Sequence, residues 1–310
     1  MNTMKSQLKE STNLKVYRSP LYYLGDKYTL FEQISYYLPS NINTFYDVFG
    51  GGGTMIANVS AQKYIYNDID INLTNLLKFI YKTNEATLIK ELQKELTKYN
   101  FKNYLKEDKN KFKSSYLDLR SKYNQLKDKN TKIGNLWLFI LVIHSFNSQI
   151  RFNSKNMFNV PVGKQTLNDN RKKNLIEFKR EIDRRKIIFS SNDFSYIYKL
   201  LNSNKLNSDD FLYFDPPYSI THATYNTIWN KENDTELFLL LDKLNEHKIR
   251  WAVSNVFESK GLRNEKLINW SKKYNVHFLN KNYKNSNYQR KNVNLKDIEV
   301  LITNYENKQF

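Results

Sequence analysis

Residues 44–54, Thr-Phe-Tyr-Asp-Val-Phe-Gly-Gly-Gly-Gly-Thr, decide the fold. Thr44 to Phe49 is an apolar, aromatic run of strand length that stops at four glycines. Residues 54–62 then carry a helical pattern, and residues 63–68, Lys-Tyr-Ile-Tyr-Asn-Asp, a second strand. Strand, glycine turn, helix, strand is the opening of a parallel α/β unit. Glycines there permit positive φ and let a ligand approach the backbone closely. The start of the helix adds free N–H groups. Asp68 ends the second strand fifteen residues after Gly53, where a carboxylate can accept hydrogen bonds from ribose hydroxyls. The run has neither the Gly-Lys-Ser/Thr ending of a Walker loop nor the order G-x-G-x-x-G. On the glycines alone, a structural loop and a nucleoside cradle fit equally; Asp68 favours the cradle.

Outward from this unit, residues 71–82 read as a helix. Residues 85–129 are helical and heavily charged, with Leu88, Leu92, Leu96 and Tyr99, then Phe112, Tyr116, Leu119 and Tyr123, at helical spacing. Residues 133–146 form the most apolar helix, 147–170 a polar loop with short strands, and 171–186 a basic helix. Strands and helices then alternate again: strand 186–190, a helix, strand 211–215, helix 235–247, strand 249–254, helix 262–273, and strands 275–280 and 299–305. The pattern is a mostly parallel α/β sheet interrupted by an inserted helical domain.

Charge divides along the same lines. The 310 residues carry 49 Lys and Arg against 31 Asp and Glu, a net charge of +18. Residues 1–82 are net +2, residues 83–190 net +13 and residues 191–310 net +3. An AT-rich genome raises lysine everywhere, but it does not cluster it. The cluster points to a specific basic surface and a polyanionic partner. Cysteine is absent, which excludes disulfide scaffolds, thiolate zinc sites and cysteine nucleophiles. No apolar run approaches the ~20 residues of a membrane helix. The first residues lack an apolar signal core, so the expected compartment is the cytoplasm. His144, His222, His247 and His277 are scattered, read as core or surface residues, and no metal is expected.

Residues 211–218, Phe-Leu-Tyr-Phe-Asp-Pro-Pro-Tyr, close an apolar strand with a rigid turn. Asp215, Pro216 and Tyr218 bring a carboxylate, a backbone carbonyl free of a ladder and an aromatic ring to one strand end. That trio suits a flat, amino-bearing base: two acceptors for the amine and one face to stack on. An ordinary Pro-Pro turn is the competing reading.

With these motifs in hand, the sequence resembles the Dam-type adenine-N6 DNA methyltransferases, which use S-adenosylmethionine. The resemblance runs from about residue 18 to 305. It rests on R-S-P-L-Y-Y-L-G-D-K, D-V-F-G-G-G-G-T, Y-N-D-I-D, F-N-S-Q-I-R-F-N-S-K-N-M-F-N-V-P-V-G-K, N-D-F, Y-F-D-P-P-Y, V-S-N and E-V-L-I-T-N-Y. The glycine turn precedes the D-P-P-Y turn with the recognition segment between them, the family's alpha order. The resemblance implies a Rossmann-like methyltransferase sheet with an inserted, mainly helical target-recognition domain. Its catalytic domain would comprise residues 1–82 and 166–310, and the recognition domain residues 83–165.

Site residues carry over by position. The resemblance assigns the cofactor to Tyr23, Lys27, Asp47, Phe49, Gly50, Gly51, Gly52, Asp68, Asp193, Phe194 and Asp215. It assigns the chemistry to Asp215, Pro216, Pro217 and Tyr218. It assigns DNA contacts to Arg151, Asn153, Asn159, Pro161 and Lys164. Two positions depart from the family: Gly25-Asp26-Lys27 stands where Gly-Gly-Lys is usual, and Asn156 replaces a glycine, which asparagine's tolerance of positive φ can accommodate. Arg151 could read guanine or grip a phosphate. Lys102, Lys106, Lys109, Lys111 and Lys113 fit phosphate contacts or a solvated face equally. Tyr225 and Trp229 suit a loop over a flipped base, although Trp229 suits core packing as well.

The implied activity is methyl transfer to N6 of a flipped adenine in double-stranded DNA, at GATC or a related GA-containing site. A cognate restriction endonuclease acting separately is a candidate partner. An RNA or protein side-chain N-methyltransferase, or a non-catalytic DNA-binding module, are the alternatives.

Overall fold

The computed structural model describes residues 14–101, 109–221, 229–280 and 297–306. Among these, strands β1 (Thr44–Asp47), β2 (Lys63–Asn67), β3 (Ile187–Ser190), β4 (Phe211–Phe214), β5 (Arg250–Ser259), β6 (Leu262–Arg263), β7 (Asn275–Leu279) and β8 (Ile298–Thr303) form one sheet. Its order is β3-β2-β1-β4-β5-β8-β7, with β6 paired to β5 off that path. The first five run parallel, and β8 is antiparallel to both β5 and β7. The sheet is therefore the mostly parallel α/β sheet expected, with an antiparallel edge. From β1 the chain builds outward through β2 and β3, then returns to build β4 and β5 on the other side. The direction reverses between β1 and β4, and ligands in open α/β sheets bind at the carboxyl ends of such strands.

Helices cover both faces: α1 (Phe31–Ser35), α2 (Thr54–Asn58), α3 (Ile71–Lys82), α4 (Glu85–Lys98), α5 (Lys109–Gln125), α6 (Lys132–His144), α7 (Asp169–Asp183), α8 (Tyr196–Asn202), α9 (Lys231–Glu246) and α10 (Glu265–Ser271). Side chains of Asp70, Asn84, Thr131, Asn168 and Asn230 cap α3, α4, α6, α7 and α9 by accepting from free backbone N–H groups. β1 and β4 are buried at every residue, as strands covered on both faces must be. Tyr46, Leu212, Phe214 and Trp251 pack under α8 and α9. Phe45, Tyr64, Tyr66, Phe211 and Tyr213 belong to the other face. That second cluster continues without a break into Leu88 of α4, Phe112 and Tyr116 of α5 and Phe139 of α6. Ten of the thirteen residues of α6 are buried, so it is the central rod of this layer.

Several boundaries differ from the sequence reading. The helix after the glycines ends at Asn58, because the Asn58 side chain bonds both Thr54 O and the backbone of Tyr17. The described residues of the long charged stretch form two helices, α4 and α5. The apolar helix stops at His144, so Phe146 lies outside it. The expected helix 262–273 starts as the short strand β6, and Asn264 caps the helix that follows. No helix among the described residues is long and apolar enough to cross a membrane.

Candidate active site

The glycine turn and the Pro-Pro turn emerge side by side because β1 pairs with β4. Gly53 holds φ +82 as it opens α2, a left-handed conformation costly for other residues. Gly50 is constrained by space instead. A Cβ there would lie 2.3 Å from the Tyr66 ring, and Tyr66 is fully buried with its hydroxyl donating to Gly51 O at 2.8 Å. Gly50→Ala is expected to destabilise the fold by about 1–3 kcal/mol, the usual cost of overpacking. Urea unfolding measures this; an unchanged midpoint would mean the ring moves aside freely.

Tyr23 lies over this turn, its ring and Cβ closest to Gly51 and Gly52. The preceding Tyr22 has φ +51 and is held from outside. The guanidinium groups of Arg18 and Arg171 lie 4.1 and 4.2 Å from its ring, and Asn174 donates to its hydroxyl at 2.6 Å. The Asp26 departure costs the backbone nothing: Gly25 carries the positive φ, while Asp26 accepts from Tyr28 N at 2.9 Å.

Lys27 is 5% exposed and crosses to the second turn. Its ammonium donates to Asp215 Oδ2 at 2.5 Å and to Gly25 O at 2.8 Å. The Tyr218 hydroxyl donates to Asp215 Oδ1 at 2.9 Å. Burial raises the Asp215 carboxyl above its usual range, and the Lys27 charge and hydrogen bond and the Tyr218 hydroxyl oppose that shift. Each carboxylate oxygen still has a lone pair for a further donor. Pro216 is buried, and Pro217 is half-buried beside it.

Asp47 is buried at the end of β1, and its Oδ2 has no hydrogen-bond partner among the described residues. Burial, then the nearby Asp215 and Asp68, push its carboxyl well above the usual range. Asp68 accepts from Gly51 N and Asp70 N, both at 2.9 Å, yet burial pushes it up to about 6. Three carboxylates thus crowd the ends of β1, β2 and β4. Phe49 stacks on the buried Phe194 at 5.7 Å, and Trp229 meets both rings. Trp229 is a core residue whose indole N–H donates to Asp234. Asp193 is exposed and accepts from Ser195 N, starting α8.

Arg151, Asn153, Asn159, Pro161 and Lys164 come together in one loop that doubles back through a bridge between Phe152 and Phe158. Asn156 holds φ +53, so asparagine does fill the glycine position of this turn. The Asn153 side-chain oxygen Oδ1 accepts from Lys155 N and Met157 N, so its acceptor is committed to the turn. The Arg151 guanidinium is exposed and donates to Asn159 Oδ1 at 2.8 Å and Asn159 O at 3.2 Å. Pro161 and Lys164 are exposed. Phe146, which its apolar neighbours place in the preceding helix, is instead 52% exposed beside this loop. Lys109, Lys111 and Lys113 are exposed on α5. Lys102, Lys106, His222 and Tyr225 lie outside the described residues. His144 is wholly buried against Phe101, its ring pushed down to about 4 by burial, and is a neutral core residue.

A glycine turn, an acidic strand end and an aromatic–carboxylate turn meet at neighbouring strand ends, the arrangement by which α/β proteins hold nucleotides. Residues 23–285 match the model of the D12 class N6 adenine-specific DNA methyltransferases, and the chain belongs to that family. Members of the family use S-adenosylmethionine. Modification methylase StsI of Streptococcus sanguinis is 34% identical over 320 residues, covering 100% of this chain and 46% of that protein. Type II methyltransferase M.FokI of Planomicrobium okeanokoites is 34% identical over 307 residues, covering 96% and 44%. A DNA adenine methylase of Vibrio cholerae is 28% identical over 213 residues, 69% of each chain. The chain spans a little under half the length of the first two relatives.

Proposed function

We propose that this chain transfers a methyl group from S-adenosylmethionine to the N6 amine of an adenine flipped out of duplex DNA. Its target would be GATC or a related GA-containing site, and its role the modification arm of a restriction–modification system. The observation that carries the reading is the Lys27–Asp215–Tyr218 set at the end of β4, beside the glycine turn of β1.

The crevice suits the cofactor. An orphan buried acceptor on Asp47 among three crowded carboxylates favours a ligand with positive charge and N–H donors. S-adenosylmethionine brings both, and supplies a methyl group on a sulfonium. Asp68 would accept from its ribose hydroxyls, Tyr23 and Gly50 to Gly52 would border it, Phe49 would line the crevice, and Asp193 and Phe194 would flank its adenine. The N6 amine is a poor nucleophile because its lone pair delocalises into the ring. Asp215 and the Pro216 carbonyl would accept its two N–H groups, favouring a pyramidal nitrogen and stabilising the positive charge that develops there. Tyr218 would stack on the extruded base, a contact worth ~1–3 kcal/mol, and Pro217 would keep the turn rigid. The target atom cannot be reached inside a duplex, which is why the base must leave the stack.

Residues 83–165 would form the DNA-reading unit. Arg151 would read guanine O6 and N7, while Asn159, Pro161 and Lys164 line the same face and Asn153 shapes it. The exposed Phe146 ring offers a further face to a base. Expressing the chain in a methylation-free host and mapping N6-methyladenine by single-molecule sequencing tests activity, base and site together. An unmodified genome, with soluble folded protein, would sink the proposal.

The raised Asp68 carboxyl adds a pH signature. Asp68 accepts ribose donors best when ionised, so cofactor affinity should rise with pH through about 6. Calorimetric titration between pH 5 and 7.5 checks this. Asp68→Asn should bind more weakly and lose that rise; a wild-type affinity flat across pH 6 would contradict it.

A further inference from the structure

Helix α5 presents Tyr116, Arg120 and Asn124 at i, i+4 and i+8, one stripe of its surface. All three bond the backbone of a single short segment. The Tyr116 hydroxyl donates to Val160 O at 2.9 Å, and Arg120 Nη1 donates to the same carbonyl at 3.1 Å. Asn124 holds both groups of one residue: its Nδ2 donates to Phe158 O at 3.0 Å, and its Oδ1 accepts from Phe158 N at 2.8 Å. Asn124 therefore treats Phe158 as a neighbouring strand would. Phe158 and Val160 are fully buried. In extended chain, successive residues face opposite ways. The residue between them, Asn159, turns the other way and grips Arg151 through both its side chain and its carbonyl. Asn159 N in turn donates to Arg151 O at 3.2 Å.

We propose that Asn124 and Arg120 are positioning residues for base readout. They hold the backbone of Phe158 and Val160, the residues on either side of Asn159, Asn159 fixes the Arg151 guanidinium, and the aim of that guanidinium sets which base pair is accepted. This inference rests on the DNA methyltransferase reading above and deepens it. Neither residue reaches the Asp215 turn by any bond described, so the step they affect is discrimination, not methyl transfer. A bidentate arginine on guanine discriminates only when its fork is held in plane. Asn124 and Arg120 are half-buried in the wall of an open groove with Leu117, Ser121, Gln125 and Met157. Shortening Asn124 therefore leaves no closed cavity in the core.

The test compares kcat/KM on a duplex carrying the mapped site with kcat/KM on duplexes altered at one base pair. Wild-type protein is measured first; if it methylates no adenine, the underlying reading fails and the inference is not reached. In Asn124→Ala the ratio of matched to altered duplex is expected to fall about tenfold, a sizeable part of what one bidentate contact supplies. S-adenosylmethionine affinity should stay at the wild-type value. Arg120→Met, which keeps the stem but loses the donor to Val160, should lower the same ratio and serves if Asn124→Ala does not fold. A ratio unchanged in the folded variants, or activity lost equally on all duplexes, overturns the proposal.

Discussion

Asp215→Asn is expected to lower kcat by about 10³-fold while binding of S-adenosylmethionine and of duplex persists. Asparagine keeps the shape and one acceptor oxygen, but its NH2 points a donor at an amine that itself offers only donors. It also removes the negative charge that faces the positive charge developing on the target nitrogen. Loss of a single preorganised electrostatic partner costs about 10²–10³ in kcat, and here two functions leave together. A second effect follows from Lys27. With Asp215 neutral, a buried ammonium loses its counter-charge, and breaking a buried pair from one side costs about 3–5 kcal/mol. Single-turnover methylation and urea unfolding measure the two effects separately. Turnover within tenfold of wild type would remove Asp215 from the chemistry.

Lys27→Met attacks the same pair from the other end. Lys27 supplies most of what opposes burial at Asp215, the Tyr218 hydroxyl the rest, so its loss should raise the Asp215 carboxyl further. Only an ionised Asp215 would both accept the amine and oppose its developing positive charge. The acid limb of kcat against pH should therefore move to higher pH, with partial recovery under alkaline conditions. The sign for stability is opposite. A carboxyl whose folded pKa exceeds its unfolded value binds the extra proton in the folded state. The variant should thus be nearly as stable as wild type at a pH below the ordinary carboxylate range. It should lose stability as pH rises from there through the raised folded value. Unfolding at pH 3 and pH 8, beside a pH–rate profile, tests both. An unmoved acid limb would mean that Lys27 is only a structural strut.

Local chemistry made much of this legible in the sequence. Gly50 to Gly53, Asp68 and the Asp215 turn all sit at strand ends, and parallel α/β topology alone brings strand ends together. The apolar spacing of Leu88, Leu92, Phe112 and Tyr116 marked the right faces of α4 and α5. Asn156 could be foreseen because asparagine tolerates positive φ. The Lys27–Asp215 pair could not, since 188 residues separate its members and nothing local in either names the other. Asn153 reads as a DNA contact by position, yet its oxygen closes its own turn, a use that depends on which way the chain bends after it. Helix 262–273 failed because the β6 pairing with β5 captured its first turn, and tertiary pairing outweighs helix propensity over so few residues.

The unbroken core between the sheet and helices α4 to α6 has an evolutionary consequence. A specificity unit joined by a hinge can be exchanged whole between relatives, like a cassette. Here an exchange would strip α3 of the apolar cover that α6 gives it. The part of this unit that can change without touching the core is the surface turn between Phe152 and Phe158. Its tip, residues 153 to 156, is exposed and bears no part of the core.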